Sequence, residues 1–300
     1  MVQIPRQTAP NKARVIFTSR ILLARRVHGC VQPPPMQTVR RLRITTLNNE
    51  KLPSLRLSNY IREVENATKR SVVISPYPGA TPNDDIKASL ELGPNISAIK
   101  IYFRPLRPLR PLSDLITEKS VAHELTHALM IYAQGYQIPC APKDVSTASV
   151  QTAAEIVDMV DDVIVDSIIH RRGFTIDSPE QIISIKNNLA VLETAKSRDQ
   201  INPYEPDPVR AEINFVSMFI HAWALPRYVK LQPQAFAIYK RFVRRFPEIM
   251  KTEFAKAKAI KKAFNANDIF TLEGRTQVVI SALSLWTIDE RIYLAPISVA

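Results

Sequence analysis

Two histidines and one glutamate near the middle of the chain have the side chains and the spacing needed to bind a metal ion. His123 and His127 are four residues apart, and Glu124 directly follows the first of them. On a helix, residues four apart project from one face, so both imidazoles can bind the same ion. Zinc held in this way lowers the pKa of a bound water toward about 7, and a neighbouring carboxylate can take its proton. The spacing therefore predicts hydrolysis by metal-activated water, with Glu124 as the general base.

The residues around this pentad favour a buried helix. Uncharged side chains flank Glu124 on both sides, at Val121, Ala122, Leu125, Ala128, Leu129 and Met130. A lone carboxylate within such a helix is costly unless it is paired or acts at a metal. The alternative, two exposed or core histidines with a surface glutamate, fits the apolar flanks less well. We therefore expect Zn²⁺ as the cofactor, with His123 and His127 as ligands.

A catalytic zinc takes three protein ligands and keeps one position for water, so a third ligand must come from another segment. Residues 155–170 carry four acidic side chains at helical spacing: Glu155, Asp158, Asp162 and Asp166. These four residues are here called the acidic row, and His170 continues their spacing by one more turn. Like charges at this spacing repel one another unless a cation compensates them, and no basic residue follows along the segment until Arg171. The row predicts a helix that faces a metal, with a solvated acidic face as the alternative.

The pentad resembles the signature of the zincin superfamily of zinc metallopeptidases, and its letters match those of the thermolysin-like group. The resemblance covers the motif helix and, loosely, the strands before it. It implies peptidase activity and a small sheet whose edge strand aligns the substrate, which by analogy would be Ala98–Phe103 pairing with an extended peptide. The third histidine of the metzincins is missing from Ile131–Gln137, and the thermolysin-type Asn-Glu-x-x-x-Asp does not occur downstream.

The acidic row is similar to the Asn-x-x-x-Asp-x-x-x-Asn helix of predicted metallopeptidases associated with von Willebrand A-type domains. In those proteins, too, the helix follows a His-Glu-x-x-His helix after a short connection. The resemblance puts Asp162 at the central acidic position, with Asp158 and Asp166 where the pattern has asparagine. Asp162 is therefore the first choice as third ligand. Glu155 is the second, because a glutamate on a following helix is the commoner arrangement among glutamate-type zincins, and any remaining acid is expected to orient a histidine.

Other side chains are weaker candidates for stabilising a transition-state oxyanion, which usually requires a tyrosine, histidine or arginine. His221 lies in a later helical segment, where a core histidine without a catalytic role is the favoured interpretation. Three tyrosines are equally open: Tyr136, Tyr204 and Tyr228. Cys140 follows Pro139 in a predicted loop between the two ligand helices, and we expect it to be a bystander thiol.

Positive charge is concentrated at the start of the chain. The formal net charge is +12, and residues 1–49 hold nine basic and no acidic residues, which leaves +3 for residues 50–300. We interpret residues 1–50 either as a disordered basic arm that binds nucleic acid or as a wrongly assigned start, with Met36 as the true one. An organelle transit peptide is the alternative. For the basic segment Lys251–Lys262 a solvated helix face is favoured over nucleic-acid binding, because Phe254 is the single aromatic residue among its lysines.

The cysteine content and the hydropathy of the sequence limit the cellular compartments that are expected for this protein. Cys30 and Cys140 are too few for a disulfide framework or a cysteine-only zinc site, and free thiols favour a cytoplasmic protein. No stretch approaches the roughly 18–20 apolar residues of a membrane span, so none is predicted. The expected partner is a peptide or protein substrate, and the oligomeric state stays open.

Short strands precede the pentad and helices follow it. A helix at Ser58–Thr68 is expected to lead into strands at Ser71–Ser75, Lys87–Leu92 and Ala98–Phe103. Residues 104–112 repeat Arg-Pro-Leu three times, which predicts a stiff extended spacer. From the pentad onward, helices are predicted near Ser113–Gln134, Thr147–His170, Ser178–Ser197, Pro208–Ala224, Pro233–Phe246, Pro247–Phe264 and Arg275–Leu285. Proline is tolerated at a helix start, so Pro226, Pro233 and Pro247 are expected at boundaries.

The predicted fold class is α+β and mostly helical, of the zincin-like kind. Residues 51–175 would form the catalytic core, and residues 176–300 a helical portion that closes the cleft. The predicted function is that of a zinc-dependent metallohydrolase, and most specifically a peptidase. A zincin-like binding or regulatory protein with a structural or vestigial zinc site, associated with nucleic acid through its basic segment, is the alternative. A non-peptidase hydrolase is the third hypothesis, because the pentad specifies activated water better than it specifies substrate.

Overall fold

The computed structural model describes residues 54–76, 88–91, 98–103, 115–177, 179–201 and 207–297. The predictions made for the N-terminal segment 1–50 and for the Arg-Pro-Leu repeat lie outside these ranges. Within the described ranges the chain forms eight α-helices and five short strands, which confirms the mostly helical α+β class. None of the helices there combines the length and the apolar character that a membrane crossing requires.

The first described helix, α1, spans Leu55–Thr68 and begins at Ser54. The hydroxyl of Ser54 accepts a hydrogen bond from the backbone N–H of Leu57 at 3.1 Å, which satisfies one of the free donors of the first turn. The buried side chains of α1 recur every three or four residues, at Leu57, Tyr60, Val64 and Thr68. This apolar face packs against the helix that carries the pentad, α2, which spans Leu115–Tyr132.

A three-stranded sheet follows α1, made of β1 (Ser71–Pro76), β2 (Ala88–Glu91) and β3 (Ala98–Phe103). The strand order is β1-β3-β2, with β1 parallel and β2 antiparallel to β3. The expectation that Ala98–Phe103 is an edge strand is therefore wrong, because this strand is the central one. Ile99 and Ile101 alternate along this strand, and both are fully buried. Such alternation shows which face of a strand is covered, but it does not show how many strands lie beside it.

Helix α2 lies at the centre of the fold. It packs against β2 and β3 on one side, and against α1 and the helix α3 (Thr147–Arg171) on others. Every side chain from Ser120 to Tyr132 is buried, polar ones included. A helix enclosed on all sides has no solvated face on which to place polar groups, so its histidines and glutamate need partners within the protein.

Helix α3 begins at Ser146, whose hydroxyl accepts a hydrogen bond from the backbone N–H of Ser149. It contacts α2 and a two-stranded ribbon formed by β4 (Gln137–Cys140) and β5 (Tyr293–Pro296). These two strands were not predicted. Each has four residues, and each pairs with a partner far away in the sequence, so neither carries the longer alternation from which strands are recognised.

The remaining helices form the C-terminal part of the protein: α4 (Pro179–Thr194), α5 (Pro208–Tyr228), α6 (Pro233–Ile249), α7 (Lys251–Ala266) and α8 (Leu272–Leu283). Helix α3 packs against α5 and α8, and α5 in turn packs against α6 and α7. Pro233 opens α6 as predicted. Pro226 and Pro247 are not at helix starts, because each lies two residues before the end of α5 or α6. Each proline removes one N–H donor from the last turn of its helix, and the helix ends two residues later.

Candidate metal centre

Helices α2 and α3 bring two imidazoles and one carboxylate to a single point. Nε2 of His123 lies 3.1 Å from Oδ1 of Asp162, and Nε2 of His127 lies 3.3 Å from the same oxygen. The two Nε2 atoms are 3.1 Å apart. These three residues, here called the His–His–Asp cluster, could hold one metal ion, since their ligand atoms all lie within 4.8 Å of one another. The structure thus brings together the three residues that were predicted as metal ligands.

The cluster is buried on the α2 side and reachable on the α3 side. His123 is 5% exposed and His127 is 2% exposed. The side chain of Asp162 is 18% exposed. Asp162 is therefore the member of the cluster that is most accessible to solvent.

Asp166 lies on the opposite side of the His123 ring from Asp162. Its Oδ1 is 3.1 Å from Nδ1 of His123, and the Lys119 ammonium is 3.4 Å from the same oxygen. Asp166 is 1% exposed, so this contact is made away from water. A carboxylate that accepts a hydrogen bond from Nδ1 fixes the orientation of the ring and leaves Nε2 free to bind. One acid of the row was expected to orient a histidine, and Asp166 lies in that position.

These contacts shift the pKa values of the groups that make them. Burial by itself would lower the pKa of His123, but hydrogen bonds to Asp162 and Asp166 outweigh it and raise the value from 6.5 to about 10. Burial would raise the pKa of Asp162, yet the hydrogen bonds from the two histidines hold it below its usual range. Burial likewise opposes ionisation of Asp166, and the Lys119 charge and the His123 contact overcome it. Both aspartates are therefore ionised, as the ligand of a cation must be.

Glu124 is buried next to the cluster with little to stabilise its charge. It is 3% exposed, and its Oε2 has no hydrogen-bond partner within the described residues. Burial raises its pKa, and the charges of His123 and His127 only partly oppose that rise. Burial of a carboxylate oxygen without a hydrogen-bond partner costs free energy. The presence of this oxygen beside the cluster therefore indicates that a ligand or a reaction uses it.

Two further acids of the row have different surroundings. Glu155, the second choice as ligand, lies outside the cluster, because the guanidinium Nε of Arg210 on α5 donates to its two carboxylate oxygens at 3.0 and 3.1 Å. Asp158 lies one turn before Asp162, and burial together with the charge of Asp162 raises its pKa well above the usual value. The row was expected to lack basic partners. Arg210 and Lys119 supply them from α5 and α2, which the local sequence could not show.

Sequence reasoning missed the ion pair that anchors this part of α3. Arg275 on α8 is completely buried and donates to the two carboxylate oxygens of Asp161 at 2.8 and 2.6 Å. Its third nitrogen donates to the backbone carbonyl of Gln137 in β4 at 3.0 Å. The pair fixes α3 against α8 and the ribbon, one residue before Asp162. One feature of the sequence sets Asp161 apart from the other acids of α3: it does not follow the spacing of the acidic row, so a partner on a different side of the helix could be expected for it.

The weaker candidates lie outside the cluster. His221 on α5 approaches Asp166 from another side, with 3.5 Å between Nε2 and Oδ2, and burial lowers its pKa. Tyr136 lies beneath the Arg275 guanidinium, with 5.3 Å from Cζ to the ring centroid. Cys140 ends β4. The remaining two tyrosines differ: Tyr228 packs edge-on against Phe270, and Tyr204 lies outside the described residues.

The candidate metal ligands and the candidate general base all lie on two helices, α2 with the pentad and α3 with the acidic row. The histidines and Glu124 are buried by the packing of α2, and Asp162 closes the cluster from α3. No protein-family model, curated protein or solved structure matches this chain.

Proposed function

We propose that the chain is a zinc-dependent metallohydrolase whose substrate is a peptide bond. The observation that carries the proposal is the meeting of two Nε2 atoms and one Oδ1 atom at mutual distances of 3.1 to 3.3 Å. Ligand atoms about 2.0–2.1 Å from a tetrahedral zinc lie roughly 3.3 Å from one another. The three atoms are therefore spaced like three corners of a zinc coordination shell.

The chemical nature of the ligands also favours zinc over other common cations. Magnesium and calcium prefer sites made of oxygen atoms, and calcium takes six to eight of them. Two imidazoles and one carboxylate are instead a common catalytic zinc set, in which the fourth position is kept for water. The partial exposure of Asp162 is consistent with an open fourth position.

Glu124 is the residue that we assign to proton transfer. Zinc, when bound, supplies a Lewis acid and a water whose pKa lies near neutrality. Glu124 would take a proton from a water held there and pass it to the leaving amine, because its carboxylate is buried beside the cluster and has no competing partner at Oε2 within the described ranges. Burial raises the pKa of Glu124, which brings this general base and acid closer to the working pH.

The choice of a peptide as substrate rests on the resemblance of the pentad to zincin metallopeptidases. An extended peptide would add to an edge of the sheet. Among the described strands the edges are β1 and β2, and β2 packs against α2. We therefore assign the substrate-pairing strand to β2 (Ala88–Glu91), in place of the central β3.

The test combines metal content with activity. The purified protein is expected to contain one zinc per chain by plasma mass spectrometry, and to cleave an unstructured protein such as labelled casein. Glu124→Gln should keep the zinc and lose activity by about 10²–10⁴-fold, the usual contribution of general acid–base catalysis. Glu118→Gln is the matched control, because it lies on the same helix and is bonded to Ser54.

Each outcome has a distinct meaning. Zinc that binds without any hydrolysis would favour the structural-site alternative over the enzyme. A Glu124→Gln protein as active as the wild type would remove the assigned general base. A protein without bound metal, even after incubation with zinc, would overturn the proposal as a whole.

A further inference from the structure

Positive charge is concentrated in helices α6 and α7, outside the metal centre. Between residues 226 and 266 eleven side chains are basic and two are acidic, a net charge of +9. Residues 50–300 together carry +3, so the rest of that region carries −6. The charge is therefore separated along residues 50–300, with one strongly positive segment and a mildly negative remainder.

The exposed basic side chains of these helices form rows. Lys251, Lys258 and Lys262 are seven and four residues apart on α7, so they share one face of the helix, and all three are exposed. The buried residues of α7 lie on the other face: Glu253, Ala257, Ile260 and Phe264. On α6, Lys240 and Arg244 are four residues apart and both exposed, opposite a buried apolar face. These five residues are here called the basic surface.

None of the five forms an ion pair within the part of the chain that the structure describes. Nearby basic residues do form them: Lys256 with Glu212, Arg241 with Glu193, and Arg245 with Glu248. Like charges four residues apart repel each other and destabilise a helix. The pairs at 240 and 244 and at 258 and 262 are thus uncompensated, which an anionic partner would correct.

Two tryptophan rings lie close to this positive segment, although residues 226–266 themselves contain no tryptophan. Trp223 of α5 lies beneath Lys261 and Arg227, with 5.1 and 4.6 Å from the charged atoms to the ring centroid. Trp286 lies 4.7 Å from the ammonium of Lys256. The rings come from other parts of the chain, so only the folded structure places them beside the lysines.

We propose that the basic surface binds the phosphate backbone of nucleic acid, without regard to base sequence. Exposed lysine and arginine side chains neutralise phosphates and release bound counterions, which supplies most of non-specific binding. A membrane surface would require large apolar side chains next to the basic ones. Among the large apolar side chains that are exposed in the described ranges, only Phe236 belongs to α6 or α7. The surface therefore fits a polyphosphate chain better than a lipid surface.

The experiment uses the full chain and a short fluorescein-labelled DNA duplex, followed by fluorescence anisotropy. The wild type should bind, with an affinity that falls steeply between about 50 and 200 mM salt. The triple variant Lys251→Glu, Lys258→Glu, Lys262→Glu should bind at least about tenfold more weakly. The matched control is Arg14→Glu, Arg20→Glu, Arg25→Glu, which changes the net charge equally but in the N-terminal segment. It should weaken binding less than about threefold.

Two outcomes would overturn the proposal. Either the duplex does not bind to the wild type, in which case binding of vesicles containing phosphatidylserine would indicate a membrane instead, or the two triple variants weaken duplex binding equally. Circular dichroism checks that the variants fold, and Lys→Gln versions of the α7 residues replace the glutamates if they do not. Zinc content and casein hydrolysis should be unchanged in both triple variants, so this test is independent of the metal centre.

Discussion

Nδ1 of His123 lies 3.1 Å from Oδ1 of Asp166, while Nε2 of the same ring lies 3.1 Å from Oδ1 of Asp162. One imidazole on α2 therefore contacts two carboxylates that are one turn apart on α3. The two nitrogens have separate contacts, because Nε2 lies within the His–His–Asp cluster and Nδ1 faces Asp166 on the other side of the ring. Because each nitrogen contacts a different aspartate, the role of each acid in the row can be tested by replacing that residue alone.

Replacing Asp166 by asparagine should weaken zinc binding without removing a ligand. The amide keeps the size of the side chain but not the charge that holds His123. Loss of such a supporting contact typically costs about 10–100-fold in metal affinity. The measurement is a competition titration against a chromophoric chelator. Asp177→Asn, a buried aspartate that accepts from the backbone N–H of Gln232, is the control, and equal weakening in both variants would contradict the assigned role of Asp166.

Asp162 and Glu155 can be separated as ligands by two matched amide substitutions. Asp162→Asn should reduce bound zinc to well below one equivalent after dialysis, because it removes a charged ligand from the cluster. Glu155→Gln should retain one equivalent, since Glu155 pairs with Arg210 and lies outside the cluster. Metal analysis of the dialysed proteins decides between them. Full zinc content in Asp162→Asn would show that the third ligand is another residue.

Zinc binding should release a proton from His123. The pKa of this group is raised to about 10 in the metal-free fold, so the proton stays bound from low pH up to that value. Near neutral pH the metal must displace it, and about one proton per zinc should appear in the buffer. Calorimetric titration in buffers of different ionisation enthalpy measures this number. A histidine with its ordinary pKa of 6.5 would release far less at about pH 7.5, and that result would contradict the raised value.

Arg275→Ala should destabilise the whole protein. Removing one partner of a buried ion pair leaves the other charge uncompensated, here Asp161, and typically costs about 3–5 kcal/mol in the free energy of unfolding. Urea denaturation measures the loss. Arg241→Ala, which breaks an exposed pair with Glu193, is the comparison and should cost less than about 1 kcal/mol. Similar unfolding midpoints for the two variants would show that the buried pair is not an anchor.

The pentad could be recognised from the sequence because its geometry is local. On any helix, His123 and His127 share a face, and the apolar residues around them already indicated burial. The same is true of α3, whose length and apolar face follow from periodicity within one segment. The helices as elements were predicted in the same way, and the differences lie mainly at their ends, as with Pro226 inside α5.

Contacts between distant segments could not be predicted. Nothing near Glu155 indicated Arg210, nothing near Asp161 indicated Arg275, and β3 gave no sign of lying between β1 and β2. The same limit applies to Trp223 beneath Lys261, which no local pattern could reveal. Each of these relationships depends on which elements pack together, and a single segment does not carry that information.

The sequence alone determined which residues of α2 could do chemistry, because the turn of a helix sets the spacing of His123, Glu124 and His127. It also limited the third ligand to the acidic row. Only the tertiary structure decided which acid meets the histidines. The row rises about 6 Å for every four residues along α3. Of its members, Asp162 contacts both imidazoles and Asp166 contacts that of His123 alone. The packing of α3 against α2 puts Asp162 beside both imidazoles, with Asp166 one turn beyond it and Glu155 far enough away to pair with another helix.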